Sequence, residues 1–241
     1  MSRPRSSVKS HENTRHLLQP IVPAARGTTS TQVYDVLRRA IVTGELAPGA
    51  TMSEVDIGEA LNVSRTPVRE TFRRLAGEGL LQIAPQVGTI VCKMNRQTLA
   101  DALFIRETIE CATARLAAKA PLADRLTVRD VVLRQKEAIE RGDFEDGLSK
   151  DEDLHRALID ISGHAGAWEP VRQARGHMER VRRMAIPELQ GNTKALEQHM
   201  RIVDALIAGD TEVLVNELRG HIRLIEGFVD GIAKLHPDYF D

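Results

Sequence analysis

Ser64-Arg-Thr-Pro-Val-Arg-Glu-Thr-Phe-Arg-Arg-Leu-Ala-Gly-Glu-Gly-Leu80 is the stretch from which the first part of the fold is read. Ser64 offers a helix cap, and Pro67 falls within the first turn, where its missing N–H is no loss. Val68, Phe72 and Leu75 then form an apolar stripe at helical spacing. Arg65, Arg69 and Arg73, four apart, form a basic stripe about a quarter-turn away, at ~100° per residue. One side packs inward while its neighbour faces out. Arginines at the start of such a helix reach guanine O6 and N7 in a major groove, while Thr66 and the first-turn N–H groups suit phosphates. A solvated arginine face on an ordinary amphipathic helix explains the same spacing equally well.

Upstream, Val33, Val36, Leu37, Ala40 and Ile41 repeat with helical period after possible caps near Thr28, and Gly44 and Pro48-Gly49 end that segment. Ser53-Glu-Val-Asp56 opens a short helix through Ala60, with Val55, Ile57 and Leu61 as its apolar contacts. Downstream, Leu80–Ile83 and Gly88–Cys92 read as two strands around the turn Ala84-Pro-Gln-Val87. Three short helices and a β-hairpin make a winged helix-turn-helix over residues 28–95. Residues 1–27, rich in Ser, Pro and basic residues, read as a mobile tail.

From Asn95 onward there is helical periodicity and no strand signal. Helices are expected near 96–119, 124–141, 143–162, 166–187, 192–208 and 210–235, divided at Pro121, Gly142-Asp143, Gly163, Gly191 and Gly209-Asp210. The fold class is therefore mainly α: a winged helix-turn-helix domain followed by an all-α antiparallel bundle of six helices over 96–241.

Composition sets the outer bounds. The 241 residues carry 33 Lys+Arg against 34 Asp+Glu, which excludes a uniformly basic or acidic protein. The balance is uneven, because residues 1–95 hold 12 basic and 8 acidic side chains, so the basic end is the one suited to a polyanion. Aromatics at 3% argue against a base-stacking single-strand binder. No apolar run approaches ~18 residues, so no membrane span is expected. Cys92 and Cys111 form no CxxC pair and the N-terminus lacks a secretory pattern, so a reducing cytoplasm is the expected compartment.

In the helical region, Asp151 and His155 are i,i+4 beside Leu154, Leu158 and Ile159. His199 shares a face with Ile202, Val203 and Leu206, and His221 with Leu214, Leu218 and Ile225. One carboxylate and three imidazoles suit Zn²⁺, Ni²⁺, Mn²⁺ or Fe²⁺. Three core histidines, each hydrogen-bonded on its own, account for the spacing as well. Neither HExxH nor a nucleophile elbow is present, although a helical metalloenzyme with a nucleic-acid-targeting module stands as a second reading.

Val63-Ser-Arg-Thr-Pro-Val-Arg-Glu70, Arg74-Leu75, Glu78-Gly-Leu80 and Pro85-x-x-Gly88, with Ile41-x-x-Gly44-x-Leu46-x-Pro-Gly49, resemble the DNA-binding domain of GntR-type bacterial transcription regulators. That resemblance implies Arg65 and Arg69 on bases, Ser64 and Thr66 on phosphates, and the wing around Gly88 in the minor groove. The chain departs from some members at Val55, where they carry Arg, and from many at Val87, where the wing tip is basic. Asp151-x-x-x-His155-Arg-Ala-Leu158, Glu197-x-His199, His221 and Arg106-x-x-x-Glu110 resemble the ligand-binding domain of the FadR-type subfamily, in its shorter VanR-like group. His164 departs from the Asn common there. This resemblance implies one divalent metal per chain on Asp151, His155, His199 and His221, and a small carboxylic-acid effector; Arg106 offers that acid a second contact, and a structural pair with Glu110 accounts for Arg106 at least as well. Arg180 and Arg183 are weaker candidates for that contact. The protein is then expected to be a homodimeric repressor of double-stranded operator DNA.

Overall fold

The computed structural model describes residues 18–21, 28–84, 88–185 and 193–241, arranged as two compact units. Of these residues, the first unit takes those up to Arg96 together with His236–Asp241, and the second those from Gln97 to Leu235.

In the first unit, α1 (Thr29–Thr43) starts where the Thr28 side chain accepts the Thr31 N–H, and stops at Gly44 in the left-handed conformation. Strand β1 (Thr51–Met52) leads into α2 (Glu54–Leu61), capped by Ser53, whose hydroxyl accepts the Asp56 N–H at 3.0 Å. Asn62, at φ 55°, turns the chain into α3 (Arg65–Gly77). Strands β2 (Leu81–Ala84) and β3 (Gly88–Val91) follow. The sheet is antiparallel in the order β1-β3-β2, with Thr51 opposite Ile90 and Ile83 opposite Thr89. β1 has only two residues, too few for alternation to announce it. Leu37, Ile41, Ile57, Leu61, Val68, Phe72, Leu75, Leu80 and Val91 fill one core, which fixes α3 with its arginine side outward.

Three expectations change here. Residues 18–21 do not belong to a free tail: Leu18 is buried in that core and the Ile21 N–H bonds to the Leu61 carbonyl at 3.0 Å. Leu and Ile bury apolar area that outweighs the entropy of ordering so short a segment. The remainder of the expected tail, and Pro85–Val87 of the expected wing turn, lie outside the described residues. Val55 is no core contact but 43% exposed. The C-terminal residues cluster with the first unit: Met94 N–H bonds to the Tyr239 carbonyl at 2.8 Å, and Asp241 N–H to the Met94 carbonyl at 3.0 Å.

The second unit is a helical bundle: α4 (Arg96–Ala117, whose first residue falls in the first unit), α5 (Leu122–Glu140), α6 (Phe144–Ile161), α7 (Trp168–Ala185), α8 (Thr193–Ala208), α9 (Thr211–Arg223) and α10 (Glu226–Leu235). Asp143 and Asp210 cap α6 and α9 as the two Gly-Asp pairs foretold. The expected helix over 210–235 is two, parted by a turn at Leu224-Ile225, so the described residues form seven helices rather than six. No Pro or Gly marks that break in the sequence. The Arg125 guanidinium bonds to the Leu206 and Ile207 carbonyls at 3.0 and 2.9 Å, satisfying the open end of α8 from α5.

Candidate functional site

Asp151 and His155 on α6, His199 on α8 and His221 on α9 are all buried, and one ligand atom from each lies within 4.8 Å of the others. Each of these helices buries an apolar face at the bundle centre, so the polar residue on that face is carried inward with it. His155 Nε2 stands 3.2 Å from His221 Nε2, and His199 Nε2 stands 3.1 Å from both His221 Nε2 and Asp151 Oδ1.

The far sides of the rings explain this convergence. His155 Nδ1 meets Glu110 Oε2 at 2.6 Å, His199 Nδ1 meets Gln135 Oε1 at 2.6 Å, and His221 Nδ1 meets Gln198 Oε1 at 3.2 Å. Gln135 donates its amide to the Gly147 carbonyl at 3.1 Å, which leaves its oxygen facing His199. Three acceptor oxygens thus hold the protons on Nδ1 and turn three Nε2 lone pairs on one another. Facing lone pairs repel unless a cation lies between them. Two nitrogens bound at ~2.1 Å in tetrahedral or octahedral geometry stand about 3.0–3.4 Å apart, close to the spacing here. A borderline divalent ion suits three imidazoles and a carboxylate, so these residues fit a metal.

Charge is arranged to match. Burial would raise the Glu110 carboxyl, but Arg106, at 2.6 Å, and His155 overcome it and hold the group down to about 2. Burial likewise opposes ionisation of Asp151, yet Arg182 and the histidines bring it well below the usual carboxylate range. Arg182 grips both Asp151 oxygens, with Nη2 at 2.7 Å from Oδ1 and Nη1 on Oδ2. His155 is lowered by burial despite Glu110, and His221 is lowered well below its usual value by burial and the neighbouring rings. Both shifts favour the neutral, ligating form.

A cavity of about 210 Å³ opens beside this cluster. His221, Arg106, Arg175, Arg182 and Arg183 line it on the polar side, and Leu148, Met178, Ile222, Ile225 and Phe228 on the apolar side. The turn between α9 and α10 supplies Leu224 and Ile225, so the unforeseen break shapes this wall. Arg106 is engaged by Glu110, with Nη2 3.4 Å from His155 Nε2. Buried Arg175 keeps Nη1 without a hydrogen-bond partner while its Nη2 lies 3.5 Å from Asp151. Arg183 is held by Glu145 at 2.5 Å and Glu179 at 3.5 Å. Arg180 is buried, 3.5 Å from His177 Nδ1. Sequence reading passed over Arg175, Arg182, Gln135 and Gln198.

In the first unit, Arg65, Thr66, Arg69 and Arg73 are exposed along α3. Ser64 occupies the N-cap position without a side-chain bond to the first turn. Gly88, at φ 116°, begins β3, and a Cβ there would stand 3.2 Å from the Met52 carbonyl, so only glycine fits. Glu54 of α2, which sequence reading used only as part of a cap, binds Arg69 through two bonds of 2.9 Å and Arg65 at 3.4 Å.

The family model of the bacterial regulatory proteins of the gntR family matches residues 29–91, and that of the FCD domain matches residues 101–224. The chain belongs to the GntR family. An HTH-type transcriptional regulator in an unstable DNA locus of Streptomyces ambofaciens is 35% identical over 214 residues, 88% of this chain and 90% of its own. The HTH-type transcriptional repressor RspR of Escherichia coli (strain K12) is 35% identical over 210 residues, 87% of this chain and 92% of its own. The fold is that of E. coli McbR/YncC, with TM-score 0.71 at 23% identity over 89% of this chain and 100% of that one. This GntR-family chain is a transcription regulator, not an enzyme, and among its described residues no helix is long and apolar enough to cross a membrane.

Proposed function

We propose that this regulator is a homodimeric repressor whose hold on operator DNA is released by a small carboxylic acid bound beside a divalent metal. The carrying observation is the convergence of three Nε2 atoms and the Asp151 carboxylate next to a cavity lined by arginines. Asp151, His155, His199 and His221 would hold the ion, one per chain, as Zn²⁺, Ni²⁺, Mn²⁺ or Fe²⁺. Bound there, the metal supplies a Lewis acid for a carboxylate oxygen. Arg175 and Arg106 offer charge-assisted bonds to the same anionic head, Arg175 with a donor to spare. The apolar wall accepts the body of the acid and excludes water from it.

On the first unit, Arg65 and Arg69 would read bases, with Arg73 continuing their stripe toward the DNA. Ser64 and Thr66 would take phosphates, and the hairpin beginning at Gly88 would lie along the minor groove. A dimer presents two such helices to a pseudo-palindrome, because the two-fold axis of a closed pair repeats the reading helix on the second half-site.

Elemental analysis of protein purified without chelator tests the reading, with about one divalent ion per chain expected. Full occupancy in a variant with His155, His199 and His221 all replaced by Ala would overturn it. A purely structural metal is the second reading, favoured by the grip of Arg182 on both Asp151 oxygens. It predicts that the acid binds equally well after chelation.

A further inference from the structure

The chain passes between the two units twice, from Arg96 to Gln97 and from Leu235 to His236. Within the first unit, the segments beside these two crossings bind each other. The Met94 N–H donates to the Tyr239 carbonyl at 2.8 Å, and the Asp241 N–H donates to the Met94 carbonyl at 3.0 Å, which makes a parallel bridge of Met94 with Phe240. Met94 is fully buried although it lies in a connection. Two residues earlier, the Cys92 N–H bonds to the Leu80 carbonyl at 2.9 Å. Two residues later begins α4, the helix that carries Arg106 and Glu110. The backbone bonds of Met94 therefore help to fix where α4 leaves the first unit.

The other partner of this bridge leads back to the cavity through one short helix and a turn. Ile225 and Phe228 line the cavity, α10 follows, and a 3-10 turn at Pro237–Tyr239 leads into Phe240. The Tyr239 N–H closes that turn on the His236 carbonyl at 3.0 Å, and the two rings lie 5.4 Å apart. Of its ten residues α10 buries only Ile232. So short a helix has little stability of its own, and few buried contacts place a segment at the low end of local stability. Its position thus depends on what holds its two ends. One end is the cavity wall, and the other is the bridge to Met94.

We propose that Pro237–Asp241 is a clasp on Met94 through which the cavity reports to the first unit. Closed, the clasp fixes the start of α4 and belongs to the state that holds DNA. A carboxylic acid wedged against Phe228 and Ile225 displaces α10, draws the segment off Met94 and frees the connection to α4. The inference rests on the acid release proposed above and adds the part that moves. A bridge of two backbone hydrogen bonds suits the task, because each contributes only modestly in net terms and a ligand of ordinary affinity can outweigh them.

The test uses the duplex that the full chain selects from a random pool, and straight-chain acids from acetate to octanoate on zinc-loaded protein. Ending the chain at Leu235 should lower affinity for the duplex about 5- to 150-fold, the range of an ordinary coupling, and leave no further response to the acids. Asp241→Pro is the gentler variant. It removes one N–H, and Phe240, at φ −114° and ψ 150°, already has the extended backbone that a following proline requires. Exchange of the Met94 amide should then quicken about two- to tenfold, while Asp241→Ala, which keeps the N–H, should match the unaltered chain. The duplex should slow the same exchange. A chain ended at Leu235 that holds the duplex as before and still answers to acid would overturn the clasp and leave the acid-released repressor standing. If no acid of the series weakens the duplex, acid release fails, and the clasp is judged by exchange alone. Equal Met94 exchange in Asp241→Pro and Asp241→Ala, or with and without duplex, rejects it. Where circular dichroism finds the shortened chain unfolded, the same exchange decides.

Discussion

Glu54 and Arg69 meet through two parallel bonds, Nε to Oε1 and Nη2 to Oε2, both 2.9 Å long, across the turn between α2 and α3. Arg69 is proposed to read a base, and here a carboxylate holds its guanidinium in place. The hydrogen bond from Arg69 lowers the Glu54 carboxyl below its usual value, overcoming the opposing effect of burial. A lowered carboxylate contributes fully above its usual range and is lost only as pH falls through the lowered value. The clamp is therefore complete throughout neutral pH. Replacing Arg69 by Ala should weaken operator binding roughly 5- to 150-fold and relax specificity at one base pair. Glu54→Gln should instead tighten binding to random DNA, because a negative charge leaves the surface while Arg69 loses its guide. Binding titrations on operator and random duplexes at two salt concentrations separate the two outcomes. Unchanged discrimination in both variants would remove α3 as the reading helix.

Gln135 is the polar residue on which His199 turns. Its oxygen accepts the hydrogen bond of the Nδ1–H at 2.6 Å, and its amide donates to the Gly147 carbonyl. Gln135→Leu keeps the volume but frees the ring and leaves the buried His199 proton without its acceptor. Loss of such an outer partner weakens metal binding about 10- to 100-fold. Competition with a coloured chelator should find that loss with the secondary structure unchanged. An unaltered metal affinity would show that the ring is oriented by packing alone.

Metal should also stabilise the fold. An ion that binds only the native chain adds about 2.7 kcal/mol at a hundredfold excess over its dissociation constant. Thermal unfolding with and without chelator should therefore differ by several degrees, and added metal should restore the higher midpoint. His221→Ala should abolish the difference, since it removes a lone pair from the centre of the cluster. A chelator effect that persists in the triple histidine variant would place the stabilising ion elsewhere.

How far the site was legible follows from where each residue sits. Asp151 and His155 share one helix, so their i,i+4 spacing alone put them on one face. His199 and His221 lie on two other helices, and periodicity gave only their faces; their meeting at 3.1 Å is a matter of packing. Gln135 left no trace, since an amide among the exposed polar residues of α5 looks like one more of them. Arg182 lies between Arg180 and Arg183 in the basic run Glu179-Arg-Val-Arg-Arg183, whose spacing does not single it out, yet it reaches inward to Asp151. The recognition helix was legible because its apolar and basic stripes, its cap and its proline all lie within a few turns. β1 and the turn at Leu224-Ile225 were not, because two residues cannot alternate and no breaker marks the bend.

Arg175 offers a direct test of the cavity. It is buried, its Nη1 has no hydrogen-bond partner, and a buried donor left unpaired is unfavourable until a ligand meets it. Arg175→Lys should keep the charge, lose the fork and weaken binding of a carboxylic acid by about tenfold. Phe228→Ala should leave acetate unaffected but weaken acids whose chains reach the apolar wall. Calorimetric titration of the metal-loaded protein with acids of increasing length checks both. Equal losses for short and long acids in Phe228→Ala would mean that the wall acts on the fold rather than on the ligand.

Coupling between the two units obeys a stricter rule than either site does. An acid bound in the second unit weakens operator binding only by as much as it prefers the state unable to hold DNA. A coupling of ~1–3 kcal/mol would change operator affinity about 5- to 150-fold, and by linkage operator DNA must weaken acid binding by the same factor. The full chain is the proper sample, because His236–Asp241 complete the first unit and a cut before the bundle would part them from Met94. Acid affinity is therefore to be measured on metal-loaded protein with and without operator, and operator affinity with and without acid. The two ratios should agree. An acid that binds tightly but equally well in the presence of DNA is not the inducer, and its ratio of one would say so whatever its affinity. If chelation lowers both ratios together, the metal belongs to the switch; if it lowers neither, the acid works through the cavity arginines without the metal.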